Sequence, residues 1–196
     1  MHCAPSLSAF RRFVDAMHDL FATPLPPAAR WQRVGALLPI LLEDRDLQLR
    51  AADWPDTRAA DGKHTNHLFY QDARYGFVVN ALVKWPGATT PIHDHAHTWT
   101  AYSVLTGSER VVHYALERDV PVGAIASFRE TGEYVVQPGF VDVVPPHAPH
   151  AEFAGARTVA LIVRSERIGT FNHRMWKSST REHFLSPGPT NYARAL

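Results

Sequence analysis

The run Pro91-Ile-His-Asp-His-Ala-His97 sets two imidazoles, His93 and His95, two residues apart. In a strand such residues share a face, about 7 Å apart along the backbone. The pair can therefore converge on one metal ion, with Asp94 directed the other way. A third ligand has to come from elsewhere in the chain. The run Pro145-Pro-His-Ala-Pro-His150 offers His147 and His150 after several strand-like segments, and a barrel would return it to the first pair. Three neutral imidazoles without a carboxylate leave a divalent ion its full charge and half of an octahedron open. Such a site suits an anionic, bidentate substrate together with O2. Imidazole ligation favours Fe, Ni, Cu or Zn over Mg or Ca. The chain holds 12 histidines, and His18, His64 and His183 read as surface residues.

The elements that must position these groups fall into two parts. Leu7, Phe10, Phe13, Val14, Met17, Leu20 and Phe21 recur at helical spacing, which predicts an amphipathic helix over residues 7–21. Pro24 and Pro26 end it. A second helix starts at Pro27 with Trp31, Val34 and Leu38 inward, and Pro39 kinks or restarts it. From about residue 65 the pattern changes to short runs rich in Val, Phe, Tyr and Thr between Gly, Pro and Asp turns. Strands are predicted at 67–70, 77–85, 98–105, 109–116, 124–128, 133–136, 141–144, 151–153, 158–164 and 171–176. So many short strands imply a sandwich or barrel. The chain reads as one domain over 1–196: helices to about residue 50, a β-barrel from about 65 to 177, and an irregular tail over 178–196.

The bulk composition narrows the partners. A formal net charge of +1 points to neither nucleic acid nor an anionic membrane. No apolar run is long enough to span a membrane, and no signal peptide is visible. A single cysteine, Cys3, excludes an intramolecular disulfide and makes a reducing cytoplasm the default. The expected partners are a small-molecule substrate and O2, with a homodimer as one oligomeric possibility.

The histidine runs resemble the two cupin motifs. Gly87, His93, His95 and Gly107 match the first, Gly, five residues, His-x-His, then a closing Gly. Gly139, Pro145 and His150 match the second. His147 takes the place of the second motif's glycine and Ala154 that of its asparagine, so the resemblance makes His93, His95 and His150 the metal ligands. The motif's glutamate position is Thr100. The implied fold is an all-β cupin, a double-stranded β-helix or jelly-roll barrel, with N-terminal α-helices.

Three-histidine cupins with N-terminal helices resemble the cysteine dioxygenase family, which includes the 3-mercaptopropionate dioxygenases. The similarity runs from about Thr65 to Val163 through Trp85-Pro-Gly87, Pro91-Ile-His-Asp-His95, Trp99, Val104-Leu-x-Gly107-x-Glu109 and Pro145-Pro-x-x-x-His150. It implies Fe(II), with Ni, Zn or another divalent ion possible as isolated. It also implies oxidation of a small thiol by O2 to a sulfinate. Coordination would lower the thiol pKa, as a metal does for any bound thiol.

The chain departs from this family in three places. The family's Ser-x-His-x-Tyr triad falls on Ala160, Ile162, Arg164 or on Leu161, Val163, Ser165. The position of the cross-linking cysteine is Thr100. The residue that reads the substrate carboxylate falls on Asn66, which donates hydrogen bonds but carries no charge. These changes argue against L-cysteine as substrate. Arg164, Tyr102 and His97 are the candidate catalytic residues, and Asn66, Trp99, Thr100 and His147 the candidate substrate contacts. An inward Arg164 would clamp a carboxylate bidentately, whereas an outward one would be solvated at the barrel mouth. His113 is a further candidate beside the metal, and Glu109 reads as a solvated or paired strand tip. A cupin oxygenase or metalloenzyme for a non-thiol substrate, and a non-catalytic ligand-binding cupin, stay open.

Overall fold

The computed structural model describes residues 7–58 and 65–193. Cys3 and His64 lie outside the described residues. Four helices come first: α1 (Ser8–Ala22), α2 (Pro27–Leu37), α3 (Pro39–Leu42) and α4 (Arg45–Ala52). Pro27 and Pro39 sit at first helical positions, where a missing N–H costs nothing. Asp44 caps α4 by accepting from the Leu47 amide at 2.8 Å.

Twelve strands follow: β1 (Thr65–Gln71), β2 (Val78–Lys84), β3 (Ile92–His93), β4 (Thr100–Thr106), β5 (Glu109–Leu116), β6 (Phe128–Val136), β7 (Val141–Val144), β8 (His150–Ala154), β9 (Thr158–Arg164), β10 (His173–Trp176), β11 (His183–Ser186) and β12 (Thr190–Ala193). They form two six-stranded sheets, ordered β12-β1-β2-β9-β4-β7 and β11-β10-β3-β8-β5-β6. Every pairing is antiparallel except β12 on β1. From β2 to β5 and again from β6 to β10 successive strands alternate between the two sheets, with β5 and β6 joined as a hairpin within one of them, which is the cupin jelly-roll.

Strand parity divides the core in two. On β9, Val159, Leu161 and Val163 pack outward against Phe10, Phe13, Met17, Trp31 and Val34 of the helical layer. Ala160 and Ile162 face into the barrel with Leu82, Tyr102, Val104, Val111 and Val136. All seven residues of β9 are buried for this reason, as expected for a strand covered on both faces. The inward parity of β9 ends at Arg164, and that of β2 runs through Asn80, Leu82 and Lys84. No described helix is long and apolar enough to cross a membrane.

Several boundaries differ from the sequence expectation. The tail is not irregular: it carries β11, which pairs with β10, and β12, which pairs with β1. Residues 124–127 form no strand, only a single bridge from Ile125 to Glu182, whereas the run at 133–136 extends back to Phe128. His183 is buried and stacks on Trp176 at 5.5 Å. β6 forms one edge of its sheet, is largely exposed, and pairs with β5 through a register shift at His113/Tyr114.

Gly107, which closes the first cupin motif, has a structural reason to be glycine. Its φ is +83°, and a Cβ there would lie 2.6 Å from the Arg157 carbonyl oxygen. Gly107→Ala should lower stability by about 1–3 kcal/mol, read as a lower urea midpoint at unchanged slope. Gly132→Ala is the control, since a Cβ there meets nothing within 4 Å.

Candidate metal centre

A buried carboxylate organises the first histidine run. Asp94 Oδ1 accepts from the amides of Ala96 and Arg174, each at 3.0 Å, and Oδ2 accepts from Arg174 Nε at 2.7 Å. β3 therefore stops at His93, and the chain turns through Ala96 at φ +50°. This corrects the simple strand picture. Asp94 is fully buried rather than pointing to solvent, and His95 reaches the site from a turn.

His150 opens β8 and lies directly across from His93 on one side and His113 on the other. Cross-strand partners share a face, so this register alone brings His93 and His150 together. Ring centroids stand 4.5 Å apart for His93 and His150, 5.3 Å for His93 and His95, and 4.8 Å for His95 and His150. One ring nitrogen from each of the three lies within 4.8 Å of the others.

The donor set fits a divalent metal. Each Nδ1 is already engaged: His93 with the Pro91 carbonyl at 3.1 Å, His150 with the Ala148 carbonyl at 3.0 Å, His95 with Thr100 Oγ1 at 3.0 Å. Donation from Nδ1 fixes the tautomer and leaves Nε2 as a lone pair. Burial holds all three imidazoles neutral, taking His93 down to about 3 and His95 well below its ordinary value. His150 is also lowered by burial, against the opposing pull of Glu152. Neutral imidazole is the ligating form.

Beside these ligands lies a small cavity walled by Thr100, Tyr102, Asp142, Glu152 and Arg164. Arg164 is 6% exposed, its Nη1 donates to Asn80 Oδ1 at 3.4 Å, and its Nε has no partner. Burial lowers it to about 10, with Glu152 acting in the opposite sense, so it stays charged at neutral pH. The Tyr102 hydroxyl is buried and also unpartnered. Strand parity thus resolves the ambiguity on β9: Ala160, Ile162 and Arg164 are the inward set.

Four expected contacts lie elsewhere. His97 is 58% exposed, pairs with Glu166 at 3.0 Å and packs on Phe171, so it does not reach the cavity. His147, 59% exposed, lies in a surface basin with His173 and Arg174. Trp99 packs outward against the helical core. Asn66 is buried in contact with Asn80 and Asn191 rather than lining the cavity.

Lys84, Glu152, Tyr134 and Asp142 were not anticipated, whereas Glu109 and His113 were. Lys84 is buried between Glu109 at 2.5 Å and Glu152 at 2.8 Å. Of the two readings given for Glu109, solvated or paired, the structure has the paired one, and the pair is buried. Burial pushes Lys84 down, but the two carboxylates outweigh it and leave its pKa raised. Burial raises Glu109 to about 7 despite Lys84. For Glu152 burial acts upward, but Lys84 and then the histidines prevail, and its pKa falls well below the carboxylate range. The Tyr134 hydroxyl bridges His113 Nε2 and Asp142 Oδ2, each at 2.5 Å, and His113 stacks on His150. Glu152 was findable, since it follows His150 by two residues in a strand and shares its face.

No protein-family model matches the chain. Among solved structures, a hydroquinone 1,2-dioxygenase in complex with Cd2+ and 4-hydroxybenzonitrile aligns at TM-score 0.45 and 16% identity, over 74% of each chain. The Cnp3 cupin domain of Schizosaccharomyces pombe aligns at TM-score 0.38 and 14% identity, over 50% of this chain and 57% of that one. A cupin superfamily protein of Desulfitobacterium hafniense aligns at TM-score 0.36 and 16% identity, over 50% and 72%. The fold described above is a cupin-type jelly-roll, and it carries a three-histidine candidate metal centre.

Two outcomes follow. In the metal-free protein the lowered histidines bind protons in the unfolded chain but not in the folded one, so stability rises with pH. It should fall as pH drops from about 6.5 towards the His93 value of about 3. Glu109, raised to about 7, acts in the opposite sense between its unfolded value and 7 and offsets part of this. Urea unfolding at pH 7 and pH 5 should show the net loss, and His93→Gln should shrink it. Separately, Lys84→Met strands two buried carboxylates and should cost about 3–5 kcal/mol. Adding Glu109→Gln should recover part of that loss in the same urea assay.

Proposed function

We propose that the protein is a mononuclear non-haem Fe(II) dioxygenase that oxidises a small, carboxylate-bearing thiol other than L-cysteine to its sulfinate. The observation that carries this reading is a cluster of three neutral imidazoles, two of which, His95 and His150, line one cavity with an arginine whose Nε is unpartnered. Iron bound by His93, His95 and His150 would supply thiolate coordination and electron transfer to O2. Overall RSH + O2 gives RSO2H, with both oxygen atoms on sulfur and sulfur oxidised by four electrons.

The chain's own residues bind and orient. Arg164 offers its Nε–H edge to a carboxylate, a charge-assisted contact in a buried site. Its place on β9 rather than at Asn66 on β1 moves the cation relative to the pattern the resemblance implies, and this sets the substrate apart from L-cysteine. Tyr102 supplies a buried phenol from β4, adjacent to β9 and paired there with Ile162. It is the residue best placed to donate to an oxygen atom in the cavity, in place of the tyrosine missing from β9. Thr100 and the two backbone carbonyls keep the imidazoles turned inward.

A second reading, a cupin oxygenase acting on a small non-thiol carboxylate, is favoured by Ala160 and Ile162. They put apolar groups where the thiol dioxygenases carry serine and histidine. O2 uptake by Fe(II)-loaded protein, against small thiols and matched non-thiol analogues, separates the two. Uptake that requires a carboxylate-bearing thiol and yields its sulfinate is expected. Uptake driven by non-thiol acids alone would move the assignment to the second reading. Arg164→Gln should raise KM for the acidic substrate about tenfold to a hundredfold, with a smaller change in kcat. An unchanged KM would remove Arg164 from the binding site.

A further inference from the structure

Arg164 is held by a run of three asparagine amides, of which Asn80 and Asn66 are buried and Asn191 is half-buried. Its Nη1 donates to Asn80 Oδ1 at 3.4 Å, and Asn80 Nδ2 donates to Asn66 Oδ1 at 3.2 Å. Asn66 Nδ2 donates to Asn191 Oδ1 at 3.2 Å, and Asn191 Nδ2 donates to the Ile168 carbonyl at 2.5 Å. Each amide accepts on the side nearer Arg164 and donates on the far side. Chains of this kind polarise one another in a medium of low dielectric. Every Oδ1 points back along the chain towards the guanidinium.

The strands explain why the three asparagines meet. Asn80 and Asn66 sit on the paired strands β2 and β1, and Asn66 is in direct register with Asn191 on β12. Asn66 and Asn80 are each 1% exposed. Buried amides at these positions are costly unless their groups are satisfied, and the chain satisfies them while ending on Ile168, four residues beyond Arg164.

We propose that Asn80, Asn66 and Asn191 are positioning residues that fix the Arg164 guanidinium through Nη1, so that its Nε edge stays presented to the carboxylate of the substrate. The proposal rests on the carboxylate-binding reading of Arg164 given above. The side of the guanidinium opposite Nη1 carries Nε and Nη2, the pair that binds a carboxylate side-on. An arginine left to rotate would lose that alignment, so the strand β12, remote from the metal ligands in sequence, becomes a determinant of substrate affinity.

The test uses two forms of the protein. In the cobalt(II)-loaded form, the thiolate-to-metal absorption band reports binding of 3-mercaptopropionate and of 2-mercaptoethanol, which lacks the carboxylate. In the zinc-loaded, 15N-labelled form, the Arg164 Nε–H signal reports how firmly the guanidinium is held. Asn191→Leu should weaken 3-mercaptopropionate about tenfold, leave 2-mercaptoethanol and metal stoichiometry unchanged, and speed exchange of the Arg164 Nε–H. Asn191→Ala serves if the leucine variant does not fold. Wild-type preference and exchange in these variants, together with loss of the preference in Arg164→Gln, would overturn the positioning role and leave the carboxylate reading intact. A preference that survives Arg164→Gln overturns the carboxylate reading and the positioning role with it. If neither thiol produces a band on cobalt-loaded wild type, the thiol reading fails and the exchange measurement alone decides the positioning role.

Discussion

The geometry of the site depends on one buried carboxylate. Asp94 takes two backbone amides and an arginine side chain, and in doing so ends β3, starts the turn at Ala96 and ties that turn to β10. His93 and His95 flank it in sequence, so its hydrogen bonds set where their backbones stand, and the Pro91 carbonyl and Thr100 then turn their rings inward. Burial alone would raise the Asp94 carboxyl. The Ala96 amide and Arg174 overcome that and hold it below the usual range. A carboxylate fully satisfied in this way acts as a rigid strut, which suits a residue that must aim two neighbours at one point.

Around that point the barrel interior is sorted by charge. The apolar floor of Leu82, Val104, Ala160 and Ile162 gives way to the buried Lys84 pair of carboxylates, then to neutral imidazoles, then to Arg164. Lys84 answers Glu152 and Tyr134 donates to Asp142, so the polar groups at the cavity left without a hydrogen-bond partner are the imidazole lone pairs, the Tyr102 hydroxyl and the Arg164 Nε. The lone pairs and the arginine favour ligands of opposite character to themselves: a cation at the histidines and an anion beside it.

The histidine triad was legible because its two signals, spacing and motif, are local in sequence. So was the helical layer, where the 3.6-residue period from Leu7 to Phe21 is unbroken and α1 spans Ser8–Ala22. β9 matched its predicted range at both ends because its run of Val, Ala, Leu and Ile is bounded by clear polar residues. What escaped were features set by distant partners. β11 and β12 are short and poor in alternation, and exist because β10 and β1 offer open edges. Lys84 at the end of an apolar run gave no sign of its two partners, 25 and 68 residues away by position. His97 shared the parity of His93 and His95 on paper, but the turn at Ala96 cancelled that parity and left His97 beside Glu166. Asn66 was singled out for the right neighbourhood and the wrong contact: it meets other amides, not the cavity.

The edge strand β6 has a consequence for how copies of the barrel meet. It exposes backbone donors and acceptors, which would ordinarily invite another strand, yet its outward residues include Arg129, Glu130 and Glu133 and its pairing with β5 is interrupted by a register shift. Charge and local twist of this kind oppose continuation of a sheet into a second molecule. Growth of sheets along this edge is therefore disfavoured at high concentration.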